Sequence, residues 1–148
     1  MPIPLLDQDG LLPAGVHECT LSEIGSHFGS FQKSDRRPRL FQRLETFVGE
    51  AIAVGLIRAL IVDGSFVIQT PSPNDVDLIV VLESQHDFSS DISPKAYNIL
   101  SKRRVRRRFG FDLLVARENS VEYNDWVEFF QQVRLEPGRR KGILKLLL

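Results

Sequence analysis

Apolar and polar residues follow two different periods along this chain, and each period predicts a different kind of element. Between residues 38 and 55 the apolar side chains recur every three or four positions, which is typical of an amphipathic helix. The positions are Leu40, Phe41, Leu44, Phe47, Val48, Ile52 and Val54. A shorter helix is predicted to begin at Thr20, which forms a Thr-x-x-Glu capping box with Glu23, and to end near Gly29.

Short apolar runs rich in β-branched residues predict three strands, at residues 57–62, 76–82 and 111–116. The run 76–82 is apolar almost throughout, so we expect it to be covered on both faces. Ser93-Pro94 is a favourable N-cap and first-turn pair, which predicts a helix that continues to Gly110. A further helix is predicted over 121–133. The tail 142–148 fits a strand or a helix equally well.

The alternation of strands with helices predicts an α/β (α+β) fold, a mixed sheet with helices packed against it. The first 20 residues have no regular period and are rich in Pro and Gly, which indicates an arm. We therefore expect an N-terminal arm and short helix over residues 1–30 and a main domain over 31–148. Together they form one compact domain, as the length of 148 residues suggests.

The charge is balanced overall but divided along the chain. Lys plus Arg and Asp plus Glu both number 19, which excludes a globally basic nucleic-acid coat protein. Residues 1–101 hold 7 bases and 13 acids, a net charge of −6, whereas 102–148 hold 12 bases and 6 acids, a net charge of +6. Six of those bases lie in the run 102–108, which indicates a local anionic partner.

We expect a cytoplasmic protein that makes no contact with membranes. The N-terminus lacks the basic and apolar segments of a secretory signal, and the most apolar window, 46–62, contains Glu50 and Arg58. Cys19 is the one cysteine and has no partner for an internal disulfide, which favours a reducing compartment.

Aspartates occupy positions where strands are usually apolar. Asp75 and Asp77 flank Val76 at the start of the second strand, and Asp112 lies at the start of the third. Residues two apart on a strand point to the same face, so Asp75 and Asp77 share a surface, and Asp112 joins them if the strands are neighbours. Such carboxylates repel one another, and oxygen ligands without His or Cys suit Mg²⁺ or Mn²⁺. Taken singly, each is also explained as a turn residue, a surface acid or a strand-edge charge.

The turn after the first strand offers a phosphate-binding element. Gly64 allows the backbone to approach a ligand closely, and Ser65 adds a hydroxyl and backbone amide donors. A Gly-Ser pair after a strand is also a common simple turn. Asp63, which precedes it, is interpreted as structural.

The order and spacing of these residues resemble a known family. Gly64-Ser65, nine intervening residues, Asp75-Val76-Asp77-Leu78 and a later strand with Asp112 are similar to the nucleotidyltransferase domain of the DNA polymerase beta superfamily, particularly the short bacterial minimal nucleotidyltransferases. The resemblance covers residues 40–133. It implies that Asp75, Asp77 and Asp112 hold two Mg²⁺ ions, that Asp112 helps to deprotonate the attacking hydroxyl, and that Gly64 and Ser65 grip the phosphates of an NTP.

The basic run is open to two interpretations. Cations near a helix C-terminus complement the helix dipole, which accounts for one or two of them. The others predict contact with triphosphate or nucleic acid, with Arg104, Arg107 and Arg108 as candidates.

These features predict a nucleotidyltransferase that transfers a nucleoside monophosphate from an NTP to a hydroxyl on a protein or RNA. The resemblance further suggests a toxin-antitoxin module with a toxin or antitoxin partner. Two alternatives stay open: an antitoxin-like interaction protein that masks a partner without catalysis, and a nucleic-acid-binding module that uses the basic helix.

Overall fold

A computed structural model describes residues 3–148 and has a mixed α/β architecture, as the alternating pattern predicts. The strands are β1 Gly15–Cys19, β2 Ile57–Asp63, β3 Asp77–Leu82, β4 Asp112–Arg117 and β5 Gly142–Leu147. The helices are α1 Leu21–Phe28, α2 Arg36–Val54, α3 Pro94–Leu100, α4 Lys102–Phe109 and α5 Val121–Phe130. A single 3₁₀ turn, Ser65–Val67, follows β2.

The strands form one mixed sheet in the order β1-β5-β2-β3-β4. The pairs β1/β5 and β3/β4 are parallel, whereas β2 is antiparallel to both β5 and β3. The tail that fitted either element is therefore a strand inside the sheet. At the opposite edge of the sheet, β3 and β4 are neighbours. The prediction that Asp112 lies close to Asp75 and Asp77 required this pairing.

Both faces of the sheet are covered. Alternate residues of β2 and β3 pack against α1 to α4 in a large apolar core that includes Leu60, Leu78 and Phe47. The residues between them, such as Ile61 and Ile79, pack against α5 in a smaller core. Every residue of β3 after Asp77 is buried, which confirms that this strand is covered on both sides.

The local start and stop signals hold at the helix ends. Thr20 caps α1 through the complete capping box with Glu23, and Gly29 follows the helix. Ser93 caps α3. Gly55 ends α2 in the left-handed conformation.

Three predictions for secondary structure are wrong in whole or in part. The predicted single helix from Ser93 to Gly110 is divided at Ser101, whose backbone is extended (φ −86°, ψ 118°) and whose hydroxyl accepts from the Arg104 amide to start α4. The predicted arm contains β1, a short edge strand that exists because β5 pairs with it. α5 also ends at Phe130, short of the predicted end.

The N-terminal segment contributes to the large core through Ile3, Leu12, Ile24 and Phe28. Residues 1 and 2 of the predicted arm lie outside the described residues. Within residues 3–148, no helix has the length and apolar character needed to cross a bilayer.

Candidate active site

A row of aspartates crosses three adjacent strands at one end of the sheet. Asp77 on β3 is the register partner of Asp63 on β2 and of Asp112 on β4. Residues directly opposite one another on paired strands point to the same face, so the three carboxylates share one surface, and Asp75 adds a fourth just before β3. We call Asp63, Asp75, Asp77 and Asp112 the aspartate cluster.

The electrostatics of the cluster are most marked at Asp77. The pKa of Asp77 is raised to about 7, chiefly by burial and further by the negative charges of Asp75, Asp63 and Asp112. The cluster therefore lacks positive charge at its centre. A divalent cation would stabilise the ionised form of these carboxylates.

The Gly64 turn packs directly against the strand that carries Asp75 and Asp77. Gly64 has φ +95°, and a Cβ atom there would lie 2.7 Å from the Asp75 carbonyl oxygen and 3.1 Å from the Asp77 nitrogen. The Phe66 amide donates to the same Asp75 carbonyl oxygen at 3.1 Å. This position therefore requires glycine for both its backbone conformation and its close approach.

Ser65 is bound to Asp75 in this structure. Its hydroxyl donates to Asp75 Oδ1 and accepts from the amides of Asn74 (2.9 Å) and Asp75 (3.1 Å). The Ser65 amide donates to the same carboxylate oxygen at 3.1 Å. The turn thus fixes the Asp75 carboxylate, and its hydroxyl and first amide are engaged rather than free for phosphate.

Two arginines at the start of α2 hold the segment between β2 and β3, and sequence reasoning missed both. Arg37 is 2% exposed and donates to the carbonyls of Phe28, Phe66, Ile68 and Thr70 at 2.6–3.2 Å. Burial lowers the pKa of Arg37. Arg36 donates to the Pro73 carbonyl at 2.8 Å, just before Asp75. The predicted amphipathic pattern begins at residue 38, after both arginines, and the burial of Arg37 is unexpected because Arg is rarely buried.

A buried ion pair joins Asp63 to Lys141, the residue before β5. The two side chains are 7% and 14% exposed. Burial raises the pKa of Asp63, and the nearby Lys141 offsets part of that increase. Asp63 is therefore the member of the aspartate cluster whose charge is compensated by Lys141. The sequence alone does not predict this ion pair, because the contact depends on the position of β5 beside β2.

The arginines of α4 divide by helix face. Arg106 Nη1 donates to Asp112 Oδ1 at 2.6 Å. Arg104 instead bonds Asn98 and lies over the Tyr97 ring, and Arg108 forms a two-point ion pair with Glu50. Arg107 is exposed. The helix therefore brings Arg106 to the aspartates, while Arg104 and Arg108 of the predicted phosphate-binding set are directed elsewhere.

The donor set of Asp75, Asp77 and Asp112 is chemically suited to Mg²⁺ or Mn²⁺, because it offers only carboxylate oxygens. In the side-chain arrangement of the described residues 3–148, however, no group of three or more His, Cys, Asp or Glu is placed to hold one ion. Asp75 is engaged by Ser65 and Asp112 by Arg106. Binding a metal through all three therefore requires these two contacts to be exchanged.

Fold and site together define a mixed α/β protein with an aspartate cluster at one end of its sheet, bordered by a Gly-Ser turn and a basic helix. The chain belongs to DUF6932, a family of unknown function whose model matches residues 4–147. Neither a curated protein nor a solved structure matches the chain. The function of this chain is therefore inferred from the chemistry of its site.

Proposed function

We propose that this protein is a Mg²⁺-dependent nucleotidyltransferase that moves a nucleoside monophosphate from an NTP to a hydroxyl acceptor on a protein or RNA. The observation that carries the proposal is the register of β3 and β4, which pairs Asp77 with Asp112 while Asp75 lies two residues before Asp77. The Gly64 turn packs against the same segment. The sequence resemblance to polymerase beta-type nucleotidyltransferases supports the same assignment.

In this proposal Asp75, Asp77 and Asp112 hold Mg²⁺ or Mn²⁺, which supplies charge neutralisation on the phosphates when bound. Asp112 accepts the proton of the acceptor hydroxyl. The oxygen of that hydroxyl forms a bond to the α-phosphorus of the NTP, and the bond from that phosphorus to the β-phosphate oxygen breaks, releasing pyrophosphate. The Gly64 turn brings backbone close to the phosphates and fixes Asp75.

The proposal includes a cytoplasmic location, where NTPs and Mg²⁺ are abundant and Cys19 stays reduced. It also includes a toxin-antitoxin setting, in which a toxin or antitoxin partner supplies or shields the acceptor. The location is inferred from the single cysteine, and the toxin-antitoxin setting is inferred from the sequence resemblance.

The test is pyrophosphate release and label transfer from each of the four NTPs, with Mg²⁺ and with candidate protein and RNA acceptors. The wild type is compared with Asp75→Asn and Asp77→Asn, and with Asp91→Asn as a control that removes an exposed carboxylate outside the cluster. The proposal predicts that the two cluster variants lose pyrophosphate release and that the control variant releases pyrophosphate as the wild type does. Wild-type protein without release or metal-dependent NTP binding contradicts it.

A non-catalytic role as a partner-masking protein is the second candidate. It is favoured by the engagement of Asp112 with Arg106 and of Asp75 with Ser65, which leaves no ready metal site among residues 3–148. Co-expression with a neighbour-encoded toxin separates the two functions. If Asp75→Asn neutralises the toxin as well as the wild type does, masking is supported. If the variant no longer neutralises the toxin, catalysis is supported.

A further inference from the structure

The basic helix α4 has one face that borders the aspartate cluster. An open depression of about 520 Å³ beside the start of β4 is lined by Lys102, Arg103, Arg106, Phe111, Asp112 and Leu113. Lys102 and Arg106 lie one helical turn apart and so share this face. Three cations therefore surround the depression on the side of Asp112.

The cations on this face are available for a ligand. Within residues 3–148, neither Lys102 nor Arg103 forms an ion pair, and both are exposed. Arg106 pairs with Asp112, and both of these side chains are more than 60% exposed, so the contact is open to competition by an anion. By contrast, Arg104 and Arg108 on the other face are engaged by Asn98, Tyr97 and Glu50.

We propose that this depression binds the phosphodiester backbone of a nucleic-acid acceptor strand. The inference rests on the proposed function, because it assigns the acceptor to the side of Asp112. Lys102, Arg103 and Arg106 lie close together on the face of α4 that lines the depression, so neighbouring phosphates of a strand can be contacted. Phe111 is fully buried, so the depression offers no exposed ring for stacking and recognition is through phosphate.

A nucleic acid is favoured over an acidic protein segment by the density of the charge. Strand phosphates carry one negative charge per nucleotide and release counterions when Lys and Arg neutralise them. Docking of a phosphate here would also draw Arg106 from Asp112, which frees that carboxylate when the acceptor arrives. Acceptor binding and exposure of Asp112 are thereby coupled.

The test is fluorescence anisotropy of a short labelled single-stranded RNA of mixed sequence, with the full chain in EDTA at several salt concentrations. Lys102→Gln/Arg103→Gln is compared with Arg104→Gln/Arg108→Gln, which removes the same charge from the other face of the same helix. Arg106 is left unchanged because it also touches Asp112. Binding of a non-hydrolysable NTP analogue with Mg²⁺ is measured on every protein, and thermal melting confirms that each is folded.

We expect the first pair to weaken RNA binding by roughly tenfold and to reduce the salt slope by about 0.7 for each lost phosphate contact. The second pair should bind RNA nearly as the wild type does, and NTP binding should not change in either. Equal losses in both pairs would assign the effect to net charge and overturn the inference. So would loss of NTP binding in the first pair, which would assign these cations to the triphosphate, or a wild type that binds no RNA.

Failure of this inference and failure of the proposed function are distinguishable. In one outcome, Asp75→Asn binds RNA through Lys102 and Arg103, but the wild type transfers nothing to any acceptor. That outcome upholds the anion site and contradicts the transferase. Pyrophosphate release that depends on Asp75, without RNA binding, upholds the transferase and contradicts the nucleic-acid acceptor.

Discussion

Asp77 and Asp112 lie directly opposite each other on the parallel strands β3 and β4, and the charge of Asp112 adds to the burial that raises the pKa of Asp77. Each also has a second neighbour: Asp63 is the partner of Asp77 on β2, and Arg106 holds Asp112. The centre of the cluster is therefore short of positive charge, while its edges are compensated by Lys141 and Arg106.

Asp77→Asn should change how stability depends on pH in EDTA. The pKa of Asp77 is raised in the folded state to about 7 from an ordinary value of 3.8. The folded state therefore resists ionisation, and stability is lost as pH rises from about 4 through about 7. The variant lacks this loss, so its stability relative to the wild type should improve between pH 5 and pH 8. Chemical denaturation at both pH values measures it, and a difference independent of pH would contradict the assignment.

Gly64→Ala should damage both stability and the site. The new Cβ would lie 2.7 Å from the Asp75 carbonyl oxygen at a φ of +95°, so we expect a loss of roughly 1 to 3 kcal/mol in the free energy of unfolding. Gly49→Ala is the matched control, because this exposed position on α2 has no atom within 4 Å of the added methyl group. It should stabilise by about 0.5 to 1 kcal/mol. Similar effects of the two substitutions would show that the close approach is unimportant.

Arg37→Lys should destabilise the protein although the charge is retained. A lysine ammonium cannot bond the carbonyls of Phe66, Ile68 and Thr70 with the planar fork that Arg37 uses. Buried carbonyls left without a donor should lower the free energy of unfolding by roughly 2 kcal/mol or more, and the Gly64 turn should be less well held. Arg39→Lys, at an exposed ion pair with Asp35 on the same helix, should cost less than about 0.5 kcal/mol. Denaturant unfolding of both variants measures the two free energies of unfolding. Equal losses would contradict the role of Arg37 in holding these carbonyls.

Lys141→Met should leave Asp63 buried without its cation. Breaking a buried pair in this way costs roughly 3 kcal/mol. The pKa of Asp63 is already raised by burial and should rise further, so the cost should be greater at pH 8 than at pH 5, where the carboxyl takes up a proton. Asp63→Asn combined with Lys141→Met should recover much of the loss. A single variant as stable as the wild type at pH 8 would contradict the pairing.

Arg106→Gln should increase the affinity for a divalent cation. Arg106 donates to Asp112 Oδ1 at 2.6 Å and so competes with a metal for that oxygen. Titration with Mn²⁺, followed by electron paramagnetic resonance, should show tighter binding by several-fold in the variant. Arg107→Gln, which removes an equal charge from the same helix, is the control. Weaker binding in Arg106→Gln would show that Arg106 supports the site instead of restraining it.

Local patterns predicted the elements whose signals lie within a few residues. The period of α2 and the capping box of Thr20 and Glu23 are examples, since a helix end and a helix face are decided by neighbours in sequence. The shared surface of Asp75 and Asp77 follows from strand alternation in the same way. β1 could not be predicted, because its five residues form a strand through pairing with β5 at the other end of the chain.

The contacts around the aspartates needed the tertiary structure. Lys141 meets Asp63 across 78 positions of sequence because β5 lies beside β2. The choice of Arg106 over Arg104 and Arg108 depends on where Ser101 restarts the helix, which sets the faces of α4. A composition of six bases in seven positions indicates an anion but not which side chains approach it.

A metal-dependent nucleotide site at the aspartate cluster should be visible in crystals of the protein soaked with Mn²⁺ and a non-hydrolysable NTP analogue. We predict anomalous Mn²⁺ density at Asp77 and Asp112, with Asp75 as a further ligand, Arg106 moved off Asp112 and the phosphates beside Gly64. Mn²⁺ and nucleotide bound away from these carboxylates, or absent from crystals at saturating concentration, would contradict it.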